Sequence, residues 1–217
     1  MHIRGIHSMT IRLILAAAVF FVSVASIPIG RNGPLAGSAT ETVEQFQSTL
    51  LNVMKTAKST SVRQRYDKIL PSISKNFHMP LMAQIATGEY WNKAQASQKA
   101  AVTEAFKRIN IATLATLFND YNGEIFRTNG EHPGPSKTTI ISTDLIKTDK
   151  SKVSIAYVAR KFNSEWRLID VVVDGGISEL KIRRSEYHLI LNNGGLSALT
   201  KLLNNKADEL MSHQRSR

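Results

Sequence analysis

The chain has 217 residues, a formal net charge of +11 and no cysteine. Without cysteine, structural disulfides, thiolate chemistry and a lipid-modified cysteine anchor are excluded. The excess of 28 Lys and Arg over 17 Asp and Glu favours an anionic partner, but the basic residues are scattered and show no aromatic-basic RNA-binding signature, so a membrane surface is expected and nucleic acid is not.

The first 39 residues contain Arg4, Arg12 and Arg31 and no acid. Within them Leu13–Ala25 reads LILAAAVFFVSVA, apolar apart from Ser23. A basic start, a short apolar centre and small residues after it make a secretory signal peptide over 1–39. The apolar run has 13 residues, against about 20 for a helix that crosses a bilayer, and Pro28 stands in the way of a longer one. Two small-residue cleavage points fit, after Ser26 and after Ala39; the second is preferred because Thr40 opens a helical pattern. Met9 is an alternative start. What remains keeps a net charge of +8 and is long enough for one domain over 40–211, with a frayed basic tail over 212–217.

Helical periodicity fills the first half of that domain. Val43, Phe46, Leu50, Val53 and Ala57 mark one face of a helix from about Glu41 to Lys58, capped by Thr40. Val62, Tyr66 and Ile69 mark a second over Ser61–Leu70, ended by Pro71. A third covers Phe77–Thr87 and stops at Gly88. The longest, Ser97–Asp120, places Val102, Phe106, Ile109, Thr113, Leu117 and Tyr121 on one face.

After Asn122-Gly123 the period becomes two. Strands are expected at Glu124–Thr128, Thr138–Lys147, Lys152–Lys161 and Trp166–Asp174. Asn129-Gly130, Asp149-Lys150 and Asn163-Ser164 separate them as turns. The His132–Pro135 stretch reads as an irregular loop. Connections this short favour an antiparallel meander. In the fourth strand Ile169, Val171 and Val173 alternate against Trp166, Leu168 and Val172, so that strand is covered on both faces or lines a cavity. Helices over Ile177–Asn192 and from Leu196 onward, parted by Gly194-Gly195, close the chain.

No catalytic or metal-binding motif is found. The histidines lack ligand spacing. Gly175-Gly176-Ile177-Ser178 is followed by Glu179 where a nucleophile elbow needs glycine. Asp170, Asp174 and Glu179 are a conceivable acid/base group, answered more simply as solvated strand-end carboxylates facing Arg183 and Arg184. Bulky apolar residues are in excess, and the expected wall of a cavity comprises Phe77, Met79, Met82, Ile85, Trp91, Phe106, Ile109, Leu117, Tyr121, Ile125, Ile140, Tyr157, Trp166, Ile169 and Val171. Methionines suit a wall that adapts to an irregular guest. An ordinary packed core is the plainer reading of any one of these residues.

Several of these pieces resemble one family in order and spacing over about Glu41–Ala207. Phe77-His78-Met79, Gly88-Glu89-Tyr90-Trp91, the long helix ending at Tyr121, Trp166-Arg167-Leu168-Ile169-Asp170-Val171, Gly175-Gly176-Ile177-Ser178, Arg184-Ser185-Glu186-Tyr187 and Gly194-Gly195-Leu196 are similar to the MlaC-like phospholipid-binding proteins, the toluene-tolerance auxiliary family. The form of the helix after Ser178 resembles the hopanoid-associated HpnM branch. The resemblance implies an α+β fold, a helical N-terminal part packed on a four-stranded antiparallel twisted sheet of nuclear-transport-factor-like shape, with C-terminal helices. It further implies a phospholipid or hopanoid lipid held as cargo without other cofactor, an ABC-type complex of the inner membrane as partner, an outer-membrane or other lipid donor, and a periplasmic location. Lys181, Arg183 and Arg184 are the candidate contacts to a membrane or head group. The rival readings are an enzyme using the same cavity, with Asp170 as its acid or base, and a binding module with a filled core.

Overall fold

A computed structural model describes residues 37–212, without the side chain of Ile177; residues 1–36 of the expected signal peptide and most of the basic tail lie outside the described residues. Six helices and a five-stranded antiparallel meander, in the order β1-β2-β3-β4-β5, make an α+β fold.

Helix α1 (Ala39–Lys55) begins two residues earlier than its apolar pattern indicates. Ser38, not Thr40, is the cap. Its hydroxyl accepts from the Glu41 backbone N–H at 3.0 Å, and the Glu41 carboxylate accepts from the Ser38 N–H at 2.9 Å. This reciprocal pair satisfies two otherwise orphaned donors. Helix α2 (Val62–Asn76) has the same box from Ser61 and Gln64, and it runs through Pro71 instead of stopping there. Pro71 is exposed, so water can serve the carbonyl that the missing N–H leaves unpaired. Helix α3 (Met79–Thr87) starts later than Phe77, because the ring Nδ1 of His78 accepts from the Leu81 N–H at 3.1 Å and caps it. The short α4 (Glu89–Asn92) follows Gly88.

Helix α5 (Ala96–Leu117) has 22 residues, about 33 Å of rod. It is sandwiched between α2, α3 and α6. Val102, Thr103, Ala105, Phe106, Ile111, Ala112 and Ala115 are therefore buried, a wider arc than the single expected stripe. Leu117, at the helix end, is 50 % exposed, and Tyr121 lies beyond it. Helix α6 (Glu179–Ser212) is one long element kinked at Gly195, where φ is 60° and ψ is −160°.

In the sheet, β1 (Ile125–Gly134) extends through the stretch read as a loop. Asn129-Gly130 is not a turn but a bulge, the register slipping between Thr128 and Gly130. β1 is an edge strand, which is where Pro133 can sit without breaking a ladder. The turn comes later, at Pro135–Lys137. β2 (Thr138–Ile146), β3 (Lys152–Phe162) and β4 (Glu165–Val173) lie within a residue or so of their expected bounds, and β5 (Ile177–Ser178) adds two residues to the far edge.

The puzzle of β4 has a local answer. Ala159 pairs with Leu168 while Val158 pairs with Asp170, so Ile169 is an extra residue. A bulge of this kind reverses the alternation beyond it. Leu168, Val171 and Val173 consequently share the face that α1 covers, together with Tyr157 and Ile155, while Val172 lies on the opposite face with Asp170.

Candidate lipid-binding site

The interior lies where α1 crosses the sheet. Phe46 of α1 meets Phe77 edge-on at 4.8 Å and Tyr157 of β3 edge-on at 6.1 Å between ring centroids. Phe77 is held there because its segment bridges to Leu168 on the free edge of β4, where His78 N–H donates to the Leu168 carbonyl at 2.9 Å. Met79 and Met82 of α3 and Phe106 of α5 close the same apolar cluster, with Leu50, Ile141, Leu180, Tyr187 and Leu199 from the surrounding elements.

A thread of polar groups runs through this greasy seam. The Gln47 amide donates to the Thr143 hydroxyl at 3.1 Å, and that hydroxyl donates to the Ile155 carbonyl at 3.0 Å. Burial pushes the Tyr157 phenol up to about 12, with Gln47 as its hydrogen-bond partner. Among the described residues, no buried side-chain nitrogen or oxygen lacks a partner. The network fixes the register of α1 on the sheet, since moving α1 would strand these groups in an apolar setting.

Of the fifteen residues expected to wall a cavity, Phe77, Met79, Met82, Phe106 and Tyr157 are buried together, and Trp91, Ile109, Trp166 and Val171 pack against them half-buried. Ile169 is also buried, at 8 % exposure, but outside that cluster. Ile140 faces away from α1, in register with Val158 and Asp170. Ile85, Leu117 and Ile125 stand at the surface. The sequence reading missed Phe46, Gln47 and Leu50, which supply the α1 side of the seam. The helical stripe containing Phe46 and Leu50 was visible, but nothing local shows which sheet face it covers.

A separate hollow of about 520 Å³ opens between α2, α5 and the end of α6, lined by Val62, Tyr66, Leu70, Arg108, Asp208 and Met211 among others. Its two arginines are already engaged: Arg108 bonds to Asp208, and Arg63 pairs with Asp67 at 3.1 Å. Beneath its α2 wall lies the buried Arg65, whose guanidinium donates to the carbonyls of Ala115 at 2.7 Å and Thr60 at 2.6 Å.

The three cations expected at a head group differ in state. Arg183 is tied to Glu179 at 3.8 Å and Glu186 at 2.9 Å. Lys181 and Arg184 are exposed, and neither forms a salt bridge among the described residues. The Arg184 guanidinium lies over Gly88, close enough that a Cβ there would sit 3.1 Å from Nη2.

Asp170, the acid that the enzymatic reading needs, is committed elsewhere. One oxygen accepts from the Ser178 hydroxyl at 2.6 Å, and the other accepts from the backbone N–H of Val171 at 2.8 Å and of Leu180 at 3.2 Å. The Ser178 hydroxyl in turn accepts from the Lys181 N–H at 3.1 Å. Asp170 and Ser178 together stitch β4 to the start of α6. Burial pushes the nearby Glu179 carboxyl up, only partly countered by Arg183. Among the described residues there is no group of three or more His, Cys, Asp or Glu able to hold a metal ion.

A helical layer closing an aromatic and methionine-lined seam over an antiparallel meander makes this an α+β protein with one continuous apolar interior. The family described as "MlaC protein" matches residues 44–205, and the chain belongs to it. Among solved structures, the phospholipid-binding protein from Ralstonia solanacearum, determined in complex with a phospholipid, is similar in fold: the TM-score is 0.70 at 16 % sequence identity, over 80 % of this chain and 99 % of that one. No curated protein matches the chain.

Proposed function

We propose that this protein is a periplasmic carrier that encloses the acyl or polycyclic part of one membrane lipid, a phospholipid or a hopanoid, between α1 and the sheet, and moves it between membrane-bound complexes. The observation that carries the reading is the Phe46–Phe77–Tyr157 seam with its methionine neighbours, in a chain of the MlaC family whose structural neighbour was determined with a phospholipid. Two sixteen-carbon tails carry about 30 methylenes, which at ~0.8 kcal/mol each resist water by roughly 24 kcal/mol. No such molecule crosses an aqueous gap unless something hides its tails, and doing so requires no bond to be made or broken.

The seam is packed by its own side chains, so loading requires α1 to lift or the aromatic rings to turn. Adaptable Met79 and Met82 lower the cost of repacking around a guest. The head group stays outside. Lys181 and Arg184 supply about 1 kcal/mol each near an anionic surface, while Arg183 is already neutralised by its two glutamates. An ABC-type complex of the inner membrane and an outer-membrane donor are the partners that such a carrier serves. They set uptake and release by stabilising the parted state, since affinity follows whichever state a partner binds.

The test is native mass spectrometry of the protein purified mildly from its own cells, followed by lipid extraction. A stoichiometric phospholipid or hopanoid is the expected result. Only lipid-free protein across several mild preparations, together with no uptake from vesicles, defeats the proposal.

A further inference from the structure

We infer that export cleaves this chain after Ser26, leaving Ile27 as the mature N-terminus, and not after Ala39. The inference rests on the exported reading and decides between two cut sites that the sequence alone leaves open.

The residues around the second site belong to the folded domain. Ser38 is the N-cap of α1 and half of its capping box. Its carbonyl accepts from both the N–H and the hydroxyl of Thr42, each at 3.1 Å. Ala39 is 2 % exposed and belongs to the main core cluster. Thr40, in the first turn, reaches across to β1, its hydroxyl donating to Glu131 at 2.7 Å.

Cutting at Ala39–Thr40 is disfavoured whether it comes before or after folding. After folding, the bond sits inside the first turn of a packed helix, whereas proteolysis takes exposed and irregular chain. Before folding, it produces a domain without its cap and without a core residue. The new ammonium group at Thr40 would also stand at the positive end of the α1 dipole, where a positive charge is unfavourable.

The geometry of export agrees. Ser26 directly follows the apolar run that ends at Ala25. Ala39 lies 14 residues beyond that run, or about 46 Å of extended chain away from the membrane. Residues 27–37 then precede the cap; they read IPIGRNGPLAG, with Arg31 as their one charge.

The full chain, expressed with its own leader in a Gram-negative host, tests this by intact-mass measurement and N-terminal sequencing of the periplasmic fraction. The expected species is 27–217, and Ser26→Tyr is expected to accumulate the uncut precursor. An exported chain beginning at Thr40, or at any residue other than Ile27, overturns the inference and leaves export standing. An uncut chain confined to the cytosol overturns export as well. Purified 40–217 is expected to melt at least about 2–4 °C below 27–217; equal melting temperatures remove the physical ground for the choice.

Discussion

Asp144 shows how a buried charge is held in this fold. It is 2 % exposed on the sheet face that α1 leaves uncovered. Burial alone would raise its pKa, but hydrogen bonds from Asn129, Arg127, Ser154 and Lys152 outweigh that and hold the carboxyl below the usual carboxylate range. The folded carboxyl binds its proton more weakly than the unfolded one. Its stabilisation is therefore complete above about pH 4 and is lost as the pH falls through the lower folded value. Urea unfolding between pH 6 and pH 3 should show this loss, and Asp144→Asn, less stable at neutral pH, should show a shallower decline over the same range. An equally steep decline in the variant would assign the effect to other acids. Asp170 makes a different point. Its three accepted hydrogen bonds belong to the β4–α6 junction, so Asp170→Asn should cost about 1–3 kcal/mol of stability while the remaining folded protein still retains lipid. Unchanged melting would contradict the structural role.

At the scale of elements, the surprises sit where a local rule meets a tolerant environment. Pro71 in an exposed turn of α2 breaks no buried hydrogen bond. Replacing it by Ala restores an N–H donor and a better helix former, and the partly offsetting cost is a more flexible unfolded chain. The expected gain for Pro71→Ala is about 1–2 kcal/mol, read by chemical denaturation; a loss would mean that the proline bends α2 onto α5 usefully. Gly195 is the reverse case. At φ 60° and ψ −160° it occupies backbone space that only glycine adopts readily, yet no atom lies within 4 Å of the place its Cβ would take. Gly195→Ala should therefore cost about 1–3 kcal/mol through backbone strain alone. Thermal melting that shows no loss would mean that the kink relaxes into a straight α6. The bulge at Ile169 belongs here too: one extra residue decides which face of β4 is buried, and no sequence period announces it.

At the scale of the molecule, one apolar cluster joins α1, α3, α5, α6 and the sheet, so in the proposed carrier stability and cargo binding would draw on the same side chains. A lipid that binds only the folded state adds RT ln(1 + [L]/Kd), about 2.7 kcal/mol at a hundredfold excess over Kd. Delipidated protein should accordingly melt several degrees lower than loaded protein, and vesicle lipid should restore the difference. Equal melting of the two forms would argue against an interior site. Phe106→Ala, away from the α1–sheet seam but inside the cluster, should lose about 3–5 kcal/mol and lower both properties together.

The sequence alone determined what depends on short-range physics. Periods of 3.6 and 2 located the helices and long strands. Gly88 and Gly195 marked breaks because only glycine takes their backbone angles readily, and the Asn163-Ser164 pair marked a tight hairpin. The ordered set of motifs from Phe77 to Leu196 was enough to indicate the MlaC family. Tertiary structure decided everything that needs a distant partner: that Phe46 and Gln47 face Tyr157 and Thr143, that Asp170 serves Ser178 and Leu180, that Ile85, Leu117 and Ile125 stay outside, and that Ser38 rather than Thr40 opens the domain. A pattern of residues fixes which face of an element is apolar, but only the packing of the other elements fixes what that face meets.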